Sequence, residues 1–348
     1  MKIIMIGHGM VGHKFIESVL EHVGDDVEIT ILAEEPRLAY DRVHLTEYFS
    51  GKSVKDLTLC RADFADAYGI DLRLNTKAVA IDQSHKTVTT NHGDVLSFDK
   101  LILATGSYAF VPPISGNDRE NCFVYRTIED LDAIRAASLN AKSGVVIGGG
   151  LLGLEAAKAL RDLNLETHVV EFAPRLMAVQ IDDLGGKVLR AKIENLGVNV
   201  HTQKATSSIE EGATTKHVMK FGDGSELETD IILFSAGIRP RDELARQSGL
   251  ALGERGGIMI NDYCQTSNPD IYAIGECALW QNKIYGLVAP GYDMARIAAK
   301  HVTEQACAEF AGADMSTKLK LMGVDVASVG DAHAMTPNAL SYFYADED

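Results

Sequence analysis

Two glycine-rich loops hold the residues whose types and spacing most directly imply chemistry. The first is Gly7-His8-Gly9-Met10-Val11-Gly12; the second, Gly148-Gly149-Gly150-Leu151-Leu152-Gly153, begins 141 residues later. In such a loop the first glycine permits a tight strand-to-helix turn and the second lets backbone approach a diphosphate. The third lets helix and strand pack closely. The helix that follows aims its free amide groups and the positive end of its dipole at the phosphates. Glycine inside a helix costs about 1 kcal/mol relative to alanine, so Gly12 and Gly153 need a reason of this kind. A carboxylate follows each loop: Glu34 lies 22 residues after Gly12, and Glu171 lies 18 after Gly153. Each can accept hydrogen bonds from ribose hydroxyls. The implied chemistry is the binding of two dinucleotides. Glu171 favours the free 2′-hydroxyl of NADH over the 2′-phosphate of NADPH. Arg175, four residues on, could accommodate that phosphate, so the preference for NADH stays open.

Both loops need a buried strand before them and an amphipathic helix after them. The run Ile3-Ile4-Met5-Ile6 supplies the first strand, the stripe Val11, Phe15, Val19, Val23 the helix, and Val27 to Leu32 the next strand. The second copy uses Gly144 to Ile147, then Leu152, Ala156, Ala159 and Leu163, then Thr167 to Val170. Gly93 to Gly106 closes the first copy and Gly224 to Gly237 the second. Each reads as a turn, a short polar strand, an Asp, a buried strand and a glycine. The fold expected is α/β, with two Rossmann-like three-layer dinucleotide-binding domains from one repeated architecture. Pro112-Pro113 and Arg239-Pro240 suit domain crossings. The first domain is therefore discontinuous, 1–112 and 241–312, with the second, 113–240, inserted. A further helix is expected from about Tyr292 to Phe310. Residues 313–348 alternate as strands do and are too few for a core of their own, so they read as the truncated start of a C-terminal α+β interface domain.

The chain of 348 residues carries 33 Lys+Arg against 49 Asp+Glu, a formal net charge of −16. Such a surface repels nucleic acid and anionic membranes, so nucleotides must be held by local devices. Five cysteines without a Cys-x-x-Cys motif, and the lack of a signal-peptide core or spanning segment, point to a cytoplasmic setting. No cluster has metal-ligand spacing, and no metal is assigned. His8, His13 and His44 read as core or surface histidines, Cys264 and Cys277 as small buried residues, and Met5 and Met10 as core filler.

Both fingerprints, Ala104-Thr105-Gly106, and the segment Thr266 to Glu276 resemble the FAD/NAD(P)-linked reductases with two dinucleotide-binding domains. Longer stretches, Gly7 to Glu17, Glu34 to Leu45, Cys122 to Leu131, Gly286 to Tyr292 and Ser316 to Leu321, are similar to the large-subunit family of NAD(P)H-dependent nitrite reductases. The resemblance implies FAD at Gly7, Gly9, Met10, Gly12, Glu34, Glu35, Arg42, Val79, Ala104, Thr105, Gly106, Gly275, Glu276 and Tyr292. It implies NAD(P)H at Gly148, Gly150, Leu151, Leu152, Gly153, Glu155, Glu171, Arg175 and Gly237. It also implies a helix near Tyr292 whose N-terminus faces the flavin and stabilises its anionic reduced form. Hydride transfer needs no protein acid or base, and no catalytic residue is assigned; Glu155 and Arg42 are flavin or nicotinamide neighbours.

Two departures stand out. Glu276 occupies a position usually held by Asp, and Glu47 one usually held by a Lys that pairs with the residue matching Glu155. No flavin-adjacent cysteine exists, since Leu45 and Thr46 occupy that region, so electrons must leave for an acceptor outside this chain. The resemblance places iron–sulfur and sirohaem centres only in downstream domains, and the chain reads as a fragment of a longer nitrite reductase; the partners considered are downstream acceptor domains or a small redox protein, and a second copy in a homodimer. A stand-alone NADH-dependent rubredoxin or ferredoxin reductase, and a non-enzymatic flavin-binding redox sensor, are the alternatives.

Overall fold

The computed structural model describes residues 1–22, 27–321, 324–333, 335–340, 342 and 344. Val23, expected to extend the first helix stripe, lies outside them, as does the end of the chain from 345. The chain divides into two compact units. The first comprises Met1–Leu45, Lys52–Tyr108 and Ile238–Ala313; the second comprises Thr46–Gly51, Ala109–Gly237 and the described residues from Asp314 on.

Among the described residues, the first unit is built on a five-stranded parallel sheet in the order Ile271–Ala273, Lys100–Leu103, Lys2–Ile6, Glu28–Leu32, Asp71–Arg73. The second repeats it as Val198–His201, Glu166–Val170, Ser143–Ile147, Ile231–Phe234, Cys122–Val124. In both, the strand entering the glycine loop pairs in parallel with the next strand and with the strand before the closing glycine. Each unit adds a three-stranded antiparallel sheet, Ala78–Asp82, Thr87–Thr90 and Val95–Ser97 in the first, Thr206–Glu211, His217–Phe221 and Glu226–Thr229 in the second. The mixed α/β class read from the sequence is the one observed.

The matching aspartates of the repeat have one task. Asp99 accepts the amide of Lys2 at 2.7 Å, and Asp230 accepts those of Lys142 and Ser143 at 2.8 and 3.2 Å. Each satisfies backbone N–H groups where its central strand begins, groups that would otherwise go unpaired at a sheet end.

Burial follows strand and helix periodicity. Ile3, Ile4 and Met5 are buried, and the helix Met10–Leu20 buries Phe15, Ile16 and Val19 against the sheet. The second helix, Leu151–Asp162, buries Ala156 and Ala159 as expected, but Leu154, Ala157 and Leu160 complete its buried face, whereas Leu152 is 45% exposed. Leu160 is drawn in because Gly144 has no side chain; a Cβ there would lie 2.9 Å from Leu160 Cδ1.

The late helix also differs from expectation, running Val288–Val302. Pro290 lies in its first turn, where its missing N–H forfeits no helical bond, and Glu304 ends it with a left-handed φ of 57°. Phe310 instead packs edge-on to Trp280 and Tyr285. The strands Thr317–Leu321 and Val324–Ser328 form an antiparallel hairpin. They lie against the Leu151–Asp162 and Asp183–Asn195 helices and cluster with the second unit. No helix among the described residues is long and apolar enough to cross a membrane.

Candidate dinucleotide sites

The two loops share their internal geometry. Gly7 and Gly148 have φ of +101° and +120°, and a Cβ on either would lie 2.3 or 2.2 Å from the carbonyl oxygen of Ala104 or Ser235. A Cβ on Gly12 would lie 2.4 Å from the Gly7 carbonyl oxygen, and one on Gly153 would lie 1.9 Å from that of Gly148. These four glycines are demanded by the fold itself.

The middle glycines are different. Gly9 and Gly150 are helix N-caps with ordinary extended backbone, φ −89° and −81°, and neither offers a side-chain cap. A Cβ on either would meet nothing within 4 Å. Ser, Asp or Asn would cap better at no steric cost. Nothing inside the protein requires glycine at these two points, so the space and the uncapped amides suit an external anion that a side chain would displace.

The first unit adds a second positive helix end to its loop. Gly291, in the first turn of Val288–Val302, approaches Val11 so closely that a Cβ would lie 2.6 Å from Val11 Cγ2 and 3.4 Å from Gly275 Cα. The first turns of two helices therefore lie side by side. Tyr292 follows, half-buried; burial, with the Asp41 and Glu17 carboxylates, pushes its phenol up. Ala104 and Thr105 line the loop through the contact with Gly7, and Thr105 Oγ1 donates to the Arg241 carbonyl at 2.6 Å. Gly106 accepts the Arg241 amide at 2.9 Å.

Glu34 and Glu276 are held by partners far away in sequence, and Glu35 by near neighbours. Glu34 bonds Lys77 Nζ at 3.1 Å and Arg241 Nη1 at 2.9 Å. Burial works against its charge, but the two cations outweigh burial and lower its pKa. Arg241 also stacks over the Tyr108 ring at 4.3 Å. Glu35 accepts from Tyr40 Oη at 2.8 Å and from Arg42. Burial opposes the charge on Arg42, yet Tyr40, Glu35 and Glu276 hold its pKa above the ordinary value. Glu276, one methylene longer than the usual Asp, accepts from Ser107 Oγ at 2.7 Å. Met10 is not core filler: its sulfur accepts the Arg42 amide at 3.3 Å. Val79 is 41% exposed, two residues beyond Lys77.

His8 and His13 are buried and pack edge-on, with Phe64 against both. Neither ring nitrogen of His8 has a hydrogen-bond partner among the described residues. Burial, then His13, lowers the His8 pKa to about 4. His44 is exposed and bonds Asp41 at 2.7 Å.

In the second unit, Glu171 is set by two backbone amides, Gly149 N at 2.5 Å and Ala173 N at 2.7 Å. Leu151 and Leu152 stand in the first turn after Gly150, and Gly237, three residues beyond the strand Ile231–Phe234, has φ +106°. Arg175 is engaged with the loop and with Asp183. Glu155 lies in the same helix, near Tyr125, whose hydroxyl donates to Thr46 Oγ1 at 3.1 Å. Thr46 and Glu47 thus belong to the unit that carries Glu155, although they precede it by more than a hundred residues. The sequence reading missed Lys77, Arg241, Ser107 and Tyr125. Arg241, directly after the Arg239-Pro240 crossing, had the clearest signal.

The family model described as pyridine nucleotide-disulphide oxidoreductase matches residues 1–301. The chain belongs to this family. It is 55% identical over 348 residues to the nitrite reductase (NADH) large subunit of Escherichia coli K12, covering 99% of this chain and 41% of that protein. The assimilatory nitrate reductase electron transfer subunit of Bacillus subtilis is 38% identical over 330 residues, covering 94% and 42%. A NAD-dependent persulfide reductase from A. fulgidus superposes with a TM-score of 0.89 at 29% identity, over 95% of this chain and 64% of that one. The chain therefore spans about two-fifths of the curated relatives' length.

Proposed function

We propose that this chain takes reducing equivalents from NADH onto FAD and passes them on for the reduction of nitrite. The observation that carries the reading is the pair of middle glycines, Gly9 and Gly150, which face open space that the fold does not need. Family membership and the relatives named as NADH-dependent nitrite reductases support the choice of nucleotides and of acceptor.

FAD, when bound, supplies a two-electron acceptor for a nicotinamide hydride. Gly7 to Gly12 and the N-terminus of Met10–Leu20 would hold its diphosphate. Glu34 or Glu35 would accept from its ribose, with Lys77 and Arg241 fixing the Glu34 carboxylate. The adjoining first turn of Val288–Val302 would add positive dipole where negative charge accumulates. Gly148 to Gly153 would hold the NADH diphosphate, and Glu171, preset by the Gly149 and Ala173 amides, its ribose hydroxyls. The chain's contribution to the transfer is alignment, electrostatics and exclusion of water.

The flavin-loaded chain should reduce an artificial dye with NADH and leave nitrite unchanged, because nitrite reduction is assigned to the length its relatives carry beyond it. Nitrite consumption by this chain alone would overturn that division of labour. Glu171→Ala should lower kcat/KM with NADH about tenfold, the worth of a charge-assisted hydrogen bond, and lower it less with NADPH. Equal losses with both would remove Glu171 from the ribose site.

A further inference from the structure

Between Glu171 and Gly186 the sequence has one basic residue, Arg175. Each of its three guanidinium nitrogens donates a hydrogen bond within the segment that follows Glu171. Nε donates to the Ile181 carbonyl at 3.0 Å, Nη1 to Asp183 Oδ1 at 2.5 Å, and Nη2 to the Ala178 carbonyl at 3.4 Å. Its stem lies across Gly186, where a Cβ would sit 2.8 Å from Arg175 Cδ.

Asp183 complements the dipole of its helix as an acidic first-turn residue, but it is not the cap. The helix Asp183–Asn195 is already capped by Asp182, which accepts the Gly185 amide at 2.8 Å. The Asp183 side chain is 79% exposed and fills no part of the core. Its carboxylate compensates the Arg175 charge and fixes the guanidinium's direction.

A 2′-phosphate carries close to two negative charges near neutral pH, and a cation free to pair with it binds it strongly. We infer that Asp183 is a specificity-determining residue: it holds Arg175 out of use, so that the loop after Glu171 accepts NADH and discriminates against NADPH. The inference rests on reading Gly148 to Gly153 as the nicotinamide dinucleotide site.

Calorimetric titration with 5′-AMP and 2′,5′-ADP, the adenosine halves of the two nucleotides, tests it without reference to turnover. Wild type should bind 5′-AMP the more tightly. Asp183→Ala should bind 2′,5′-ADP about tenfold more tightly than wild type, with 5′-AMP changed less than about threefold. Asp183→Asn, which keeps an acceptor but loses the charge, should fall between. Adding Arg175→Ala to Asp183→Ala should erase the gain. No gain in Asp183→Ala, or a gain that survives loss of Arg175, would overturn the inference while leaving the NADH site in place. Failure of wild type to bind either nucleotide would overturn that site as well.

Discussion

Gly9→Asp is expected to leave the fold as stable as wild type, or more stable by a few tenths of a kcal/mol, while abolishing flavin binding. The backbone at Gly9 is ordinary, a Cβ there meets nothing within 4 Å, and aspartate is a better N-cap than glycine. The same carboxylate would stand where the diphosphate is held. Two like charges about 4 Å apart at a partly solvated site repel by about 4 kcal/mol, roughly three orders of magnitude in affinity. Gly150→Asp should act likewise on NADH and spare FAD. Gly12→Ala should behave oppositely, lowering thermal stability, because its methyl carbon would lie 2.4 Å from the Gly7 carbonyl oxygen. Thermal melts with and without cofactor separate the two effects. A Gly9→Asp protein that still binds FAD tightly would show that the open space serves something else.

The second large effect concerns acid stability. His8 is neutral in the folded protein down to about pH 4 because its ring is buried, with His13 beside it. In the unfolded chain it takes a proton near pH 6.5. Between these values the unfolded state binds the extra proton, so stability is full above pH 6.5 and declines as pH falls towards 4. The 2.5-unit interval corresponds to a loss on the order of 3 kcal/mol. His13 and Phe64 pack on the ring, and neither His8 nitrogen has a hydrogen-bond partner among the described residues. His8→Phe should therefore lose much less stability over this range than wild type. The measurement is denaturant unfolding at pH 4.5, 5.5, 6.5 and 7.5; parallel curves for the two proteins would contradict the assignment.

These two predictions mark what the sequence makes legible. The glycine spacing, the apolar strand before each loop and the carboxylate beyond it are local patterns, and local patterns specify the βαβ units and their duplicated sheets. The same spacing could not distinguish glycines the fold demands, such as Gly12, from those left open, such as Gly9. That distinction appears only when the neighbouring carbonyls are placed. Arg241 meets Glu34 across 207 residues and Ser107 meets Glu276 across 169; no periodicity encodes such pairs. Arg175 was readable as a cation near the ribose site, but not its engagement with Asp183, which depends on how the intervening loop folds back. The helix Val288–Val302 begins four residues before the expected start near Tyr292, and Pro290 is accommodated in its first turn.

Rapid anaerobic mixing of the FAD-loaded chain with one equivalent of NADH tests the central claim most directly. The absorbance of the oxidised flavin should bleach, with about one NADH oxidised per flavin reduced, and Gly150→Asp should abolish the bleaching while retaining the flavin. NADH binding to the wild-type protein without bleaching would contradict the account.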